Sequence, residues 1–322
     1  MKGRVKKMTK NKPLRGNTDK ALKRAKVIRE IKRDKYLYLM LLPALAVTVF
    51  FAYVPMYGLI MAFQDYNAFK GFAGSEFVGL DNFRRIFTQS NFLKAIWNTL
   101  YVSLLGLVIT FPAPILLALL LNELKNGIFK KAVQTISYLP HFLSWISVVG
   151  LVHLLFGRDG LVNDWRMALG AEEPIVYLAQ QNLFIWFILG TSLWKEVGWG
   201  TVIHLANLSS ISPELYEAAS IDGASRLQKI RYITLPHMIP TVLILLIFKM
   251  GSLFGSNFEL IYGLQNPYID FDVISTIVYE IGITGGNYSV STAIGFAQGI
   301  IALILVLMSN KFSKKVSGAG IV

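Results

Sequence analysis

The chain has 322 residues, of which 54% are hydrophobic and 16% are charged, whereas a soluble domain has roughly 45 to 50% and about 25%. This composition excludes an intrinsically disordered chain and an ordinary soluble protein. The chain contains no cysteine, which excludes disulfide bonds, a thiol nucleophile and a cysteine-ligated metal site. Of the net charge of +13, +12 lies in residues 1–35, so the rest of the chain is nearly neutral.

Six apolar segments follow this basic tail. A helix needs about 20 apolar residues to cross a bilayer, and five uncharged stretches are longer than that. We expect an all-α integral membrane protein with six transmembrane helices in residues 36–315, followed by a tail of residues 316–322. The predicted spans are about 38–63, 97–121, 133–156, 183–208, 239–261 and 289–310.

The distribution of Lys and Arg predicts the orientation of the chain. The tail and the other segments on its side carry 24 of these residues, and the loops on the opposite side carry 6. The positive-inside rule then places both termini in the cytoplasm of a bacterial cell with the spans in its plasma membrane. We interpret the basic tail as a solvated topology determinant; binding to anionic lipid or nucleic acid is the alternative.

Several prolines lie inside predicted spans, notably Pro112, Pro114 and Pro140. Each removes a backbone hydrogen bond, which a membrane protein tolerates where neighbouring helices or a wet cavity satisfy the freed carbonyl. A packed bundle with a moving part is therefore indicated.

Between the first two spans, Asp81 is expected to cap a short helix on the outer interface. The residues predicted to share its apolar face are Leu80, Phe83, Ile86 and Phe87.

The segment 209–236, between the fourth and fifth spans, is predicted to form two short helices on the cytoplasmic side. Ser212 is a good N-cap and Pro213 suits the first helical position. Gly223 interrupts the helix, Asp222 can cap the second helix, and Pro236 is expected to end the loop before the next span.

This segment also contains a spaced motif: Glu217-Ala218-Ala219, three residues, Gly223, nine residues, Ile233, one residue and Leu235-Pro236. In this spacing it resembles the EAA loop of the membrane subunits of ABC importers. Further segments resemble the carbohydrate-importer permeases, and within them the six-span polysaccharide and multiple-sugar branch. These segments are Leu215 to Ala219, Asp222-Gly223-Ala224, Gly79 to Phe83, Asn98-Thr99 and Trp194 to Trp199.

The resemblance implies a type I ABC importer permease fold and a transport subunit rather than an enzyme. It implies translocation of an oligosaccharide by alternating access, with a cytoplasmic ATPase dimer, an extracellular sugar-binding protein and a second, different permease subunit as partners. The residues expected to couple the chain to the ATPase are Tyr216, Glu217, Ala218, Ala219, Asp222, Gly223, Ala224, Ile233, Leu235 and Pro236.

No Gly-Lys dipeptide occurs in the chain, so the phosphate-binding motif GxxxxGK[ST] is absent. We therefore expect ATP and Mg²⁺ on the partner ATPase and no cofactor on this chain. The four histidines show no metal-binding or catalytic spacing, so neither a metal site nor a catalytic site is expected.

Charged residues inside the predicted spans point to a substrate site. Lys195, Glu196, Lys249 and Glu259 are unfavourable in hydrocarbon and should face the bundle interior or water. The residues from Lys249 to Ser256 place one lysine and two serines on one helical face. The resemblance places substrate on the spans that flank the EAA loop. The predicted substrate contacts are Lys195, Glu196, Trp199, Lys249, Ser252, Leu253, Ser256 and Asn257.

Two interpretations of these residues remain open. Trp199 can pack on a sugar ring while the polar groups orient hydroxyls. Alternatively, Lys195 and Glu196 are structural and pair with Glu259 or Lys249. If Lys249 is unpaired, it favours acidic, uronate-containing oligosaccharides. The remaining classes are a permease for another solute, a secondary transporter and a membrane enzyme. The chain lacks the internal repeats and proton-relay carboxylates expected of a secondary transporter.

Overall fold

The computed structural model of the chain describes residues 26, 29–30, 32–88, 90–125, 127–318 and 320–321. Most of the predicted basic tail lies outside these residues, and the cytoplasmic orientation of both termini stays a prediction. The described chain divides between Leu59 and Ile60 into two compact units.

The first predicted span is one long apolar helical segment, Lys35–Phe63. It consists of α1 (Lys35–Thr48), a π-helical turn (Val49–Tyr53) and a 3₁₀ helix (Val54–Phe63). No residue of α1 is buried. A helix that is apolar on every side is typical of a membrane span.

The second unit is helical apart from a two-residue antiparallel hairpin, β1 (Gln64–Asp65) with β2 (Glu76–Phe77). Its helices are α2 (Gly71–Gly74), α3 (Asp81–Thr88), α4 (Ser90–Ile109), α5 (Pro112–Glu123), α6 (Ile128–Tyr138), α7 (Trp145–Phe156), α8 (Leu161–Ala168), α9 (Gln181–Leu208), α10 (Pro213–Ile221), α11 (Arg226–Lys229), α12 (Leu235–Gly251), α13 (Phe258–Leu264), α14 (Ile274–Tyr279) and α15 (Tyr288–Ser317). Short 3₁₀ segments span Leu139–Phe142 and Tyr177–Ala179, and π-helical turns span Ile230–Thr234 and Glu280–Thr284.

The all-α membrane fold is confirmed. Within the described ranges, five helical segments are long and apolar enough to cross a bilayer: Lys35–Phe63, Asn91–Glu123, Trp145–Ala168, Arg226–Gly251 and Tyr288–Ser317. The remaining predicted span corresponds to α9, whose 28 residues are long enough to cross a membrane but include two adjacent charges.

The second span is interrupted where its prolines begin. Helix α4 ends at Ile109 and α5 begins at Pro112. The carbonyl of Gly106 accepts two N–H groups from the break, at 2.8 and 3.0 Å. The hydroxyl of Thr201 on α9 donates to the carbonyl of Val197 at 2.6 Å and lies 3.3 Å from the carbonyl of Pro114. A neighbouring helix therefore contacts the backbone beside the break.

The third span, predicted over 133–156, is broken near Pro140, one of the prolines expected to remove a backbone hydrogen bond. Helix α6 passes into a 3₁₀ turn that contains Pro140, and the backbone is extended at Leu143 and Ser144. Ser144 then caps α7 by accepting the N–H of Ser147 at 3.2 Å. The proline therefore marks the break between α6 and α7.

The fifth span, predicted over 239–261, is also broken. Helix α12 ends at Gly251 and α13 begins at Phe258. The side chain of Asn257 caps α13 by accepting the N–H of Leu260 at 3.2 Å. The intervening residues include two serines and a glycine, which favour non-helical backbone.

The short helix α3 differs from its prediction in two ways. Asp81 is its first residue rather than a flanking cap. Ile86 is buried and Phe83 packs against the same apolar cluster, but Leu80 and Phe87 are exposed. Two members of the predicted apolar face therefore pack into the bundle, and the other two are exposed.

Helix α9 contacts α4, α5, α6 and α12 and organises the second unit. It approaches α6 most closely at Gly198, where an added Cβ would lie 1.9 Å from the carbonyl oxygen of Ser137. The absence of a side chain at this position allows the two backbones to meet.

Gly198→Ala is expected to destabilise the protein by about 1 to 3 kcal/mol, because it overpacks this contact. Thermal unfolding in detergent measures the change. Gly190→Ala on the same helix is the matched control, since its Cβ would meet nothing within 4 Å. Equal melting temperatures for the two variants would contradict the packing described here.

Candidate functional site

A cavity of about 550 Å³ lies among α4, α5, α7, α9, α12 and the non-helical segment 252–257. Most of its lining is apolar, with a small number of polar groups, as is usual for ligand sites. Seven of the eight predicted substrate contacts line it: Glu196, Trp199, Lys249, Ser252, Leu253, Ser256 and Asn257. Lys195 does not line it.

The helix breaks bring these residues together. Ser252, Leu253 and Ser256 were predicted to share one helical face, which is wrong because α12 ends before them. They reach the cavity from the turn that follows α12 and from the irregular backbone before α13 instead. The hydroxyl of Ser103 on α4 donates to the carbonyl of Leu253, and Gln298 on α15 donates to the carbonyl of Phe254 at 2.8 Å.

Lys195 is a structural residue beside the cavity. It is only 4% exposed. The ammonium donates to the carbonyl of His141 at 2.8 Å and lies 4.8 Å from the ring centre of Trp145. It also lies 3.5 Å from a carboxylate oxygen of Glu196. The predicted alternative of a structural lysine fits this placement, although its partners are not Glu259 or Lys249.

His141 contacts two residues of the cavity lining, and the sequence did not single it out as a site residue. Its Nδ1 lies 3.1 Å from a carboxylate oxygen of Glu196. Its ring stacks on Trp199, with centroids 4.5 Å apart and planes 2° apart. One face of Trp199 is therefore covered, and the other remains for a ligand. The available signal was the neighbouring Pro140, which breaks the span at this depth.

Lys249 differs from Lys195 in its electrostatic environment. It lines the cavity, and among the residues that the structure describes no carboxylate lies within 4.0 Å of its ammonium. The nearby Glu196 already contacts His141 and Lys195. The cavity therefore contains a cation with no ion-pair partner of its own.

The predicted coupling loop, residues 209–236, contains two short helices. Helix α10 ends at Ile221, and Gly223, which follows Asp222, has a φ of +79° that suits glycine. The hydroxyls of Tyr216 and Thr234 lie 2.9 Å apart and tie α10 to the π-helical turn. Glu217, Ala218, Asp222 and Gly223 are exposed, whereas Ala219 and Ala224 are half-buried. The loop thus presents several predicted coupling residues on an accessible surface.

One detail of the loop was predicted wrongly: Asp222 follows α10 rather than capping α11. Ser225 caps α11 instead, in a reciprocal pair with Gln228. Ser212 occupies the predicted N-cap position of α10 but makes no side-chain capping bond. Pro236 lies in the first turn of α12, and π-helical backbone precedes it at Ile230–Thr234.

The different environments of the two lysines predict different effects on stability. Lys195→Met is expected to lower the free energy of unfolding by about 1 to 3 kcal/mol, because it leaves the carbonyl of His141 without its donor. Lys249→Met is the matched control and is expected to cause no loss. Chemical denaturation in detergent measures both, and a comparable loss in Lys249→Met would contradict the assignment.

Comparison with known proteins identifies the family. Residues 110–317 match the family described as "Binding-protein-dependent transport system inner membrane component". The chain is 43% identical over 302 residues to the polygalacturonan/rhamnogalacturonan transport system permease protein YteP of Bacillus subtilis (strain 168), which covers 93% of this chain and 94% of YteP. It is 41% identical over 294 residues to the protein LplB of the same organism, covering 90% and 92%.

A solved structure also resembles this chain. It belongs to a bacterial ABC transporter involved in the import of the acidic polysaccharide alginate. The match has a TM-score of 0.80 and 40% identity, and covers 91% of this chain and 99% of that chain. The predicted type I importer fold is confirmed. The chain belongs to the binding-protein-dependent transport system inner membrane component family and is a multi-pass permease subunit of an ABC importer in the bacterial cell membrane.

Proposed function

We propose that this permease subunit translocates acidic, uronate-containing oligosaccharides through the cavity beside Lys249. The observation that carries the proposal is the unpaired ammonium in a mostly apolar cavity, where a carboxylate would be a favourable partner. Two relatives support it: YteP is named for polygalacturonan and rhamnogalacturonan transport, and the solved transporter imports alginate, an acidic polysaccharide.

The remaining cavity groups suit the rest of a sugar. The uncovered face of Trp199 would pack against the C–H groups of a pyranose ring. Ser252 and Ser256 would meet hydroxyls. The side-chain oxygen of Asn257 is used in capping α13, so its amide NH₂ would donate to substrate. Leu253 would supply apolar contact only.

Coupling to ATP hydrolysis would pass through the loop 209–236. In this proposal ATP and Mg²⁺ bind a cytoplasmic ATPase dimer, and α10 with its exposed Glu217 sits in a cleft of that dimer. The helical segment Arg226–Gly251 leads from the loop to Lys249, a distance of about 35 Å at 1.5 Å per residue. A displacement of the loop would therefore move one wall of the cavity.

The proposed assembly contains a second permease. This chain supplies one coupling loop, whereas an ATPase dimer presents two clefts, so a similar but different chain would fill the second. An extracellular sugar-binding protein delivers substrate; a solved structure of the alginate transporter contains its periplasmic protein with a bound alginate pentasaccharide.

Lys249→Gln tests the substrate class in proteoliposomes that contain the complete transporter. Uptake of oligogalacturonate is expected to fall by about tenfold or more, because the variant loses the charge-assisted contact. Uptake of the methyl-esterified, neutral oligosaccharide should change little. Lys249→Arg is the control that keeps the charge. An equal loss for both sugars would contradict the acidic preference.

Glu217→Lys tests the coupling loop. The variant is expected to insert and fold, because Glu217 is exposed, but to lose ATP-dependent uptake and copurification of the ATPase. Glu123→Lys, a charge reversal at the exposed end of α5, is the control. Normal uptake by Glu217→Lys, or uptake driven by an ion gradient without ATP, would overturn the proposed mechanism.

A further inference from the structure

A second concave site lies at the end of the bundle opposite the coupling loop. It is a groove of about 700 Å³ formed by the first turns of α4 and α9 together with residues 268–271. Helix α9 has 28 residues from the groove to the start of the loop, which corresponds to about 40 Å. The groove and the cavity beside Lys249 share no lining residue and are distinct sites.

The groove is preformed by hydrogen bonds that hold its loop in place. Gln181 and Asp270 bond reciprocally: the side-chain amide donates to the backbone carbonyl at 3.1 Å and accepts the backbone N–H at 2.9 Å. Asn98 donates to the carbonyl of Asp272 at 2.8 Å. Asn266 donates to the carbonyl of Leu178 at 2.8 Å. Both helices thus anchor the loop.

The chemistry of the groove suits a saccharide. The side chains of Trp97 and Trp186 line it and are 68% and 56% exposed, and Tyr268 is also exposed. Side-chain amides and the ion pair of Lys94 with Asp270 lie in the same concavity. A belt of interfacial aromatics alone explains exposed rings at a membrane surface. It does not explain rings that share a preformed groove with amides and charges.

The groove is in line with the inner cavity. On α4, Asn98 lines the groove, and Val102 and Gly106 line the cavity at successive four-residue steps. On α9, Ile185 lines the groove and Leu189 lines the cavity. Val102, Ile185 and Leu189 belong to one buried apolar cluster. An apolar layer therefore separates two sites that lie along the same pair of helices.

We propose that this groove is a second saccharide-binding site, which holds part of an acidic oligosaccharide before the apolar layer opens. Trp97 and Trp186 pack on sugar rings, and Lys94 binds a carboxylate. In this structure the carboxylate of Asp270 pairs with Lys94 instead. The ion pair of Lys94 and Asp270 is exposed, so it contributes little stability and a substrate group can replace Asp270.

This inference rests on the proposed function, and the length of the oligosaccharide provides its test. A disaccharide can be held in the inner cavity alone, whereas a longer chain also occupies the groove. Trp97→Ala and Trp186→Ala are expected to lower uptake of oligogalacturonate hexasaccharide by about threefold to tenfold. Uptake of the disaccharide should stay within about twofold of the wild-type rate, the difference that one weak contact makes.

Trp165→Ala is the matched control, because this tryptophan is equally exposed but lies on α8 outside the groove. Trp97→Phe keeps a ring and should restore hexasaccharide uptake. Binding-protein-stimulated ATP hydrolysis verifies that each variant is assembled. Equal losses for both sugars, no loss for the hexasaccharide, or the same length dependence in Trp165→Ala would overturn the inference.

Lys94→Gln gives an independent readout. It is expected to lower uptake of the acidic hexasaccharide but not of its methyl ester. Wild-type protein that transports neither acidic sugar would refute the proposed function itself. Wild-type protein that transports both lengths while the groove variants match it would refute only the second site.

Discussion

The structure depends on a requirement that the bilayer imposes: backbone groups freed at a helix break need partners within the protein. Three spans are broken, and at each break a side chain from another element contacts the backbone. Thr201 lies 3.3 Å from the carbonyl of Pro114, Lys195 donates to the carbonyl of His141, and Ser103 donates to the carbonyl of Leu253. These contacts allow non-helical backbone to line a cavity.

The two intramembrane lysines illustrate how position decides the role of a charge. Lys195 is buried against a carbonyl, an indole and a carboxylate, and so helps to hold the wall together. Lys249 lines the cavity, and its only nearby acid already has two other contacts. A charge that the fold itself does not neutralise is available to a ligand. The sequence shows both as lysines within apolar helices, and only packing distinguishes them.

The sequence predicted the class of fold and seven of the residues that line the cavity. Long apolar runs define spans, and the spacing from Glu217 to Pro236 defines the loop. Pro140 marks the break near Leu143, whereas the break after Gly251 was not predicted, because the polar residues from Lys249 to Ser256 also fit one face of a continuous helix. His141 was missed for a related reason: its stacking on Trp199 and its contact with Glu196 join residues that are more than 50 positions apart.

The close approach at Gly198 has a mechanical consequence. Its backbone meets that of Ser137 without an intervening side chain, and the Lys195 bond lies one turn away on the same helix. These two contacts hold α9 against the α6 turn, whereas the opposite side of the cavity is lined by the non-helical segment 252–257 between α12 and α13. A displacement passed along α12 would therefore be taken up at this segment rather than at the contact between α6 and α9.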